Sequence, residues 1–205
     1  METKILNQNY LENAKNILLN DGVIGFPTDT VYGLACSAFS EKAIEQIYTL
    51  KGRDSTKALI VMIPQNYNLE LLVKNISDDA KKLMQEFWPG ALTIIFLSQN
   101  IIPKNATGGL DTIGIRIPNS KIAIDLLNYV NIPLCTTSAN ISGQKSPINA
   151  DEVFDYFNGK LELIIDGGIC DKQIPSTIVD TSKGDIRLLR LGTITEQDIN
   201  VCLKK

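Results

Sequence analysis

Three cations fall within seven residues at Lys51-Gly-Arg-Asp-Ser-Thr-Lys57. A lysine ammonium is a compact point charge and an arginine guanidinium a planar fork, and both suit phosphate oxygens. The same cluster equally suits a solvated surface turn. Arginine usage favours a site: the four arginines, Arg53, Arg116, Arg187 and Arg190, are a small part of 20 Lys+Arg, and three of them lie in segments dense in polar residues. Arg116 stands inside an apolar run, Thr112-Ile-Gly-Ile-Arg-Ile-Pro118, where strand alternation puts Thr112, Gly114 and Arg116 on one face. A buried arginine is costly unless paired, so this segment needs an acidic partner or a ligand; the alternative is an edge strand whose arginine reaches solvent. Thr136-Thr-Ser-Ala-Asn-Ile-Ser-Gly-Gln-Lys-Ser146-Pro follows another apolar run and offers hydroxyl, amide and backbone donors to an anion. It is not a P-loop, because Gly-x-x-x-x-Gly-Lys-Ser/Thr is absent. In Pro27-Thr-Asp-Thr-Val-Tyr-Gly-Leu34, Thr28 and Thr30 could bind a small polar ligand with Asp29 orienting them, or the run is a turn held by its own side chains.

The chain contains no histidine. That excludes Ser-His-Asp and Cys-His catalysis and the commonest transition-metal ligand. A nucleophilic Ser138 would need a lysine for activation, so ligand binding is the better expectation for it. Cys36, Cys135, Cys170 and Cys202 are scattered with no Cys-x-x-Cys pair, which argues against zinc and for reduced, buried thiols in a cytoplasmic protein. A net charge of −3 and a pI near 5.1 argue against non-specific binding along a duplex, while leaving room for a local basic pocket. No apolar run reaches the roughly 20 residues of a membrane helix, and the first ten residues lack a signal-peptide core.

The elements that must hold these loops alternate. Helices are expected over Asn9–Asn20, Glu41–Leu50, Asp78–Phe87, Ser120–Val130, Asn149–Phe157 and from Thr195, several with Ser, Asn or Thr at the N-cap. Strands are expected at Gly22–Pro27, Ala58–Ile63, Ala91–Leu97, Thr112–Ile117, Ile132–Thr136, Leu161–Ile165, Ser176–Asp180 and Ile186–Arg190. The intermixing predicts one α/β domain over 1–205, with a twisted mixed sheet and flanking helices.

In order along the chain, seven runs resemble the YrdC/TsaC family of threonylcarbamoyl-AMP synthases. They are residues 27–34, Lys51-x-Arg53 with Lys57, Trp88-Pro-Gly-Ala-Leu-Thr93, Arg116-x-Pro118, Ser138-Ala-Asn-x-Ser-Gly143, Ser176-Thr-Ile-Val-Asp180 and Leu189-Arg-x-Gly192. The resemblance implies a YrdC-like fold around a concave basic pocket. It implies that L-threonine, bicarbonate or CO2, and ATP give threonylcarbamoyl-AMP and pyrophosphate. The product would pass to a separate transferase that modifies tRNA. Thr28, Arg116 and Ser176 would then meet L-threonine. Lys51, Arg53, Lys57, Thr112, Ser138, Asn140, Ser146 and Arg190 would hold ATP, with Lys51, Arg53, Ser138 and Asn140 catalytic. Mg2+ would arrive on ATP rather than on protein ligands. Long members read Asn-Pro-Leu-Ile-Val-His where this chain has Lys57-Ala-Leu-Ile-Val-Met62, so those Asn and His contacts do not transfer. A short form without a further C-terminal domain is expected. Two alternatives remain: an RNA-binding or ribosome-assembly module of the same fold, with weak RNA binding, and the carbamoyl-transfer domain of HypF, whose zinc-finger and acylphosphatase-like regions have no counterpart in this chain.

Overall fold

A computed structural model describes residues 2–205. Its strands are β1 (Lys4–Leu6), β2 (Ile24–Phe26), β3 (Gly33–Ser37), β4 (Ile60–Met62), β5 (Val73–Lys74), β6 (Leu92–Ser98), β7 (Thr112–Arg116), β8 (Leu134–Ser138), β9 (Leu163–Ile165), β10 (Thr177–Lys183) and β11 (Asp185–Arg190). Its α-helices are α1 (Leu11–Leu19), α2 (Glu41–Lys51), α3 (Asp78–Phe87), α4 (Lys121–Val130), α5 (Ala150–Phe157) and α6 (Glu196–Leu203). One mixed sheet runs β1-β9-β2-β3-β8-β4-β7-β6-β10-β11, with β5 pairing beside β6.

Successive strand residues feed opposite cores, as a pleat requires. Ile24, Phe26, Met62 and Leu134 pack with Ala14 and Leu18 of α1 and Leu126 and Leu127 of α4. Leu34, Cys36, Val61 and Ile115 pack on the other face with residues of α2, α3, α5 and α6. The cysteines are free and buried, as expected.

The expected caps at Ser40, Ser77, Asn149 and Thr195 are in place, each side chain accepting a backbone N–H of the first turn. Asn149→Ala should cost about 1 kcal/mol in urea denaturation, since its side chain accepts Glu152 N–H at 2.8 Å. An unchanged midpoint would remove the cap as a source of stability.

One expectation is corrected and one alternative is excluded. Gly33–Ser37, partly assigned to a polar loop and otherwise left without an element, is a fully buried strand between β2 and β8. Its small and apolar residues, Gly-Leu-Ala-Cys-Ser, carry no polar–apolar alternation, so periodicity does not reveal it. Arg116 does not reach solvent from an edge: β7 lies between β4 and β6, deep in the sheet.

Candidate active site

A half-open cavity of about 170 Å³ is floored by the sheet itself. Ile60 and Met62 of β4, Thr136 and Ser138 of β8, Arg116 of β7 and Ile178 of β10 form the floor. Register explains the convergence: Ile60 pairs with Thr136 on one side, and Met62 pairs with Arg116 on the other. Paired residues project to the same face of a sheet. The walls are Thr28, Thr30 and Tyr32 from the loop after β2, Arg53 after α2, Ser176 before β10, and Arg190 at the end of β11.

Three of the four arginines therefore border one space, and among the described residues no carboxylate does. Arg53 is braced by its own turn: Nε donates to Lys57 O at 3.2 Å and Nη2 to Ala58 O at 3.1 Å. Arg190 donates through Nε to Ser176 O at 2.9 Å and through Nη2 to Ser176 Oγ at 3.1 Å. Burial, then the nearby Arg116 and Arg53, pulls the Arg190 guanidinium below its ordinary range. An anion in the cavity would relieve that mutual repulsion. Arg116 is 3% exposed and supplies Nε to Gly90 O at 2.9 Å, Nη1 to Thr30 Oγ1 at 3.0 Å and Nη2 to Asp29 Oδ1 at 2.6 Å. The acidic partner expected of a buried arginine is thus Asp29.

The Pro27–Gly33 loop grips every neighbouring wall. Tyr32 Oη donates to Gly168 O and accepts Gly167 N–H. Asp29 O accepts Lys172 N–H, Tyr32 N donates to Pro147 O, and Tyr32 O accepts Ala139 N–H. Gly167 is needed there: a Cβ would lie 2.7 Å from a Pro27 side-chain carbon and 2.6 Å from one of Ile122.

Of the residues expected to bind, Thr28, Arg53, Arg116, Ser138, Ser176 and Arg190 come together on the cavity; Lys51, Lys57, Thr112, Asn140 and Ser146 do not line it. Lys51 is 2% exposed and lies behind the wall. Its Nζ donates to Ser138 O and to Asn140 O, and its own carbonyl accepts Ser142 N–H. Burial, with Arg53 adding to it, brings this ammonium down to about 7. Asn140 spends its amide inside its loop, on Ile141 O and Gln144 O, and accepts Ser138 Oγ–H at 2.5 Å. Both residues hold Ser138 in place instead of facing the space. Lys57 sits in an exposed turn. Thr112 is at the far end of β7, roughly 13 Å from Arg116 at ~3.3 Å per strand residue. Ser146 is half-buried away from the wall. From the sequence, Thr30 and Tyr32 are as fit to shape their loop as to bind a ligand, and Thr136 has no assigned role of its own. No periodicity announces them, because 27–32 is an irregular loop in which Val31 lines the space as well.

The sequence profile of the Sua5/YciO/YrdC family, described as telomere recombination, matches residues 16–192. The chain belongs to the Sua5/YciO/YrdC family. Within this family it is 40% identical over 186 residues to the threonylcarbamoyl-AMP synthase of Pyrococcus abyssi, covering 91% of this chain and 55% of that protein. It is 37% identical to a putative threonylcarbamoyl-AMP synthase of Methanocaldococcus jannaschii, covering 94% and 90%. The chain thus spans about half the length of the Pyrococcus relative and most of the Methanocaldococcus one. The crystal structure of P. abyssi Sua5 complexed with L-threonine superposes with a TM-score of 0.93 at 35% identity, covering 98% of this chain and 61% of that one. The twisted mixed sheet and its six α-helices are those of the Sua5/YciO/YrdC fold.

Proposed function

We propose that this chain makes threonylcarbamoyl-adenylate and pyrophosphate from L-threonine, bicarbonate or CO2, and ATP. The observation that carries the reading is one cavity bordered by Arg53, Arg116 and Arg190 with hydroxyls between them and no carboxylate. Such a space suits two anions at once, an amino-acid carboxylate and a polyphosphate. The names of the Pyrococcus and Methanocaldococcus relatives, and the L-threonine bound to the former, support the same substrates.

The chemistry fits a chain without histidine. Uncharged threonine amine captures CO2 as a carbamate. A carbamate oxygen attacks the α-phosphorus of ATP, and pyrophosphate leaves. Both nucleophiles are competent once positioned, so the protein contributes orientation and charge stabilisation. Arg116 takes the threonine carboxylate, with Thr28 and Ser176 alongside. Arg53 and Arg190 face the phosphates, where cations offset charge that builds on phosphoryl oxygens, and the Ser138 hydroxyl donates to them once it turns from Asn140 Oδ1. Lys51 and Asn140 serve by fixing Ser138. Mg2+ enters on ATP as part of the substrate. No described helix is long and apolar enough to cross a membrane, and the proposed setting is the cytoplasm, with the adenylate consumed by a transferase acting on tRNA.

The test mixes the protein with L-threonine, bicarbonate, ATP and Mg2+. The expected result is pyrophosphate and the adenylate in equal amounts, abolished when threonine is omitted. Folded protein that releases no threonine-dependent pyrophosphate, yet binds RNA in a salt-dependent way, would replace this reading with the RNA-binding one.

A further inference from the structure

Asp29 does not line the cavity, but it is at the centre of what fixes the cavity's most buried cation. Its Oδ1 accepts from Arg116 Nη2 at 2.6 Å and from Asn119 N–H at 3.1 Å. Its Oδ2 is buried and has no partner among the described residues. Both members of the pair are nearly dry, at 4% and 3% exposure. Turn-making alone would be served as well by asparagine, whose oxygen accepts the same N–H without burying a charge. Replacing a whole buried ion pair with apolar groups is often neutral or stabilising, so stability alone does not explain why this pair is present. What only a carboxylate supplies here is a fixed negative charge against one edge of the guanidinium.

That charge has a geometric consequence. A guanidinium has five N–H donors. Gly90 O, Thr30 Oγ1 and Asp29 Oδ1 take three, one from each nitrogen. One N–H remains on each terminal nitrogen, and Arg116 borders the cavity. Three anchors on three nitrogens, two from the Pro27–Gly33 loop and one from Gly90, leave the fork no freedom to rotate. We propose that Asp29 is a positioning residue for amino-acid binding: through Arg116, and through no contact of its own, it presets the orientation of the fork that receives the substrate carboxylate. This rests on the reading that the cavity takes L-threonine. It adds a residue that acts on threonine selectively, since Arg53 and Arg190 are braced by Lys57, Ala58 and Ser176 and do not depend on Asp29.

The test is a double-mutant cycle over Asp29→Asn and Arg116→Met, read as L-threonine affinity, ATP affinity and thermal midpoint in all four proteins. Asp29→Asn should weaken L-threonine at least tenfold, with ATP affinity within threefold of the parent. In the Arg116→Met background the same change should have no further effect on threonine. Parental threonine affinity in folded Asp29→Asn would overturn the proposal, as would equal losses for threonine and ATP, or full additivity in the double variant. If Asp29→Asn does not fold, Asp29→Glu is read instead: its extra methylene displaces the fork, and unchanged threonine affinity would overturn the proposal. A parent protein that binds ATP but no threonine would sink the functional reading itself, and this inference with it.

Discussion

Lys51→Met is expected to lower the rate of threonine-dependent pyrophosphate release roughly 100-fold at saturating substrates, although Lys51 does not line the cavity. Its ammonium bridges the carbonyls of Ser138 and Asn140 from behind the cavity wall. Methionine fills the same volume but donates nothing. Asn140 O then loses its donor, at a cost of about 1–3 kcal/mol unless the loop moves to find another, and Ser138 O keeps only the Asn140 N–H at 3.0 Å. The loop carries Ser138, and a displacement near 1 Å at a reacting centre can cost ~100-fold. Parental turnover by a folded Lys51→Met protein would remove Lys51 from the account.

The same substitution should change how stability depends on pH. Burial holds the folded-state value near 7, against an ordinary 10.5. Between these values the unfolded chain binds more protons than the folded one, so this lysine's contribution to stability rises with pH. Below about pH 7 its penalty is fully present. Thermal midpoints at pH 6, 8 and 10 should therefore rise more steeply for the parent than for Lys51→Met. Parallel curves would mean that the ammonium is not desolvated.

Arg116→Ala is expected to be the most destabilising single change at the site. It strands the Asp29 carboxylate in a dry environment and leaves Gly90 O without its side-chain donor. Removing one partner of a buried ion pair costs about 3–5 kcal/mol. For a domain of this size that is a drop in Tm of about 6 to 20 °C. Differential scanning calorimetry reads it directly, and a fall under about 2 °C would show that Arg116 and Asp29 are not a buried pair in solution. L-threonine affinity should fall by well over tenfold in the same protein at temperatures where it remains folded, weak but still measurable at high ligand concentration.

Much of the architecture was legible because local chemistry declares it. Ser40, Ser77, Asn149 and Thr195 announce helix starts through side chains that accept orphan N–H groups. What failed was local too: Gly33–Ser37 is buried on both faces and shows no alternation, and β1 is three residues long with no distinctive pattern. At the cavity, three scarce arginines in polar segments converge. Lys51 and Asn140 were harder to place, because side-chain type does not say whether a group faces a cavity or the back of a neighbouring loop. Lys51 and Asn140 fall at the positions their motifs indicate, yet their hydrogen bonds turn inward, and only the fold around α2 and β8 decides that.

The grip of Pro27–Gly33 on its neighbours also sets an order of assembly. Ile24 finds its outer partner only at Leu163, and Tyr32 finds its hydroxyl partners only at Gly167 and Gly168. A nascent chain of 160 residues has therefore made α1, β2 and β3 and their partners α4 and β8, but neither β9 nor the Gly167–Gly168 turn that covers the outer side of β2. The pocket is among the last parts to form, and pairings of such long sequence separation make for slow folding. Until residues 163–168 emerge, β2 presents a bare apolar edge, open to pairing with another chain. Synthesis and aggregation, more than substrate binding, would then be where a defect at Tyr32 or Gly167 first shows.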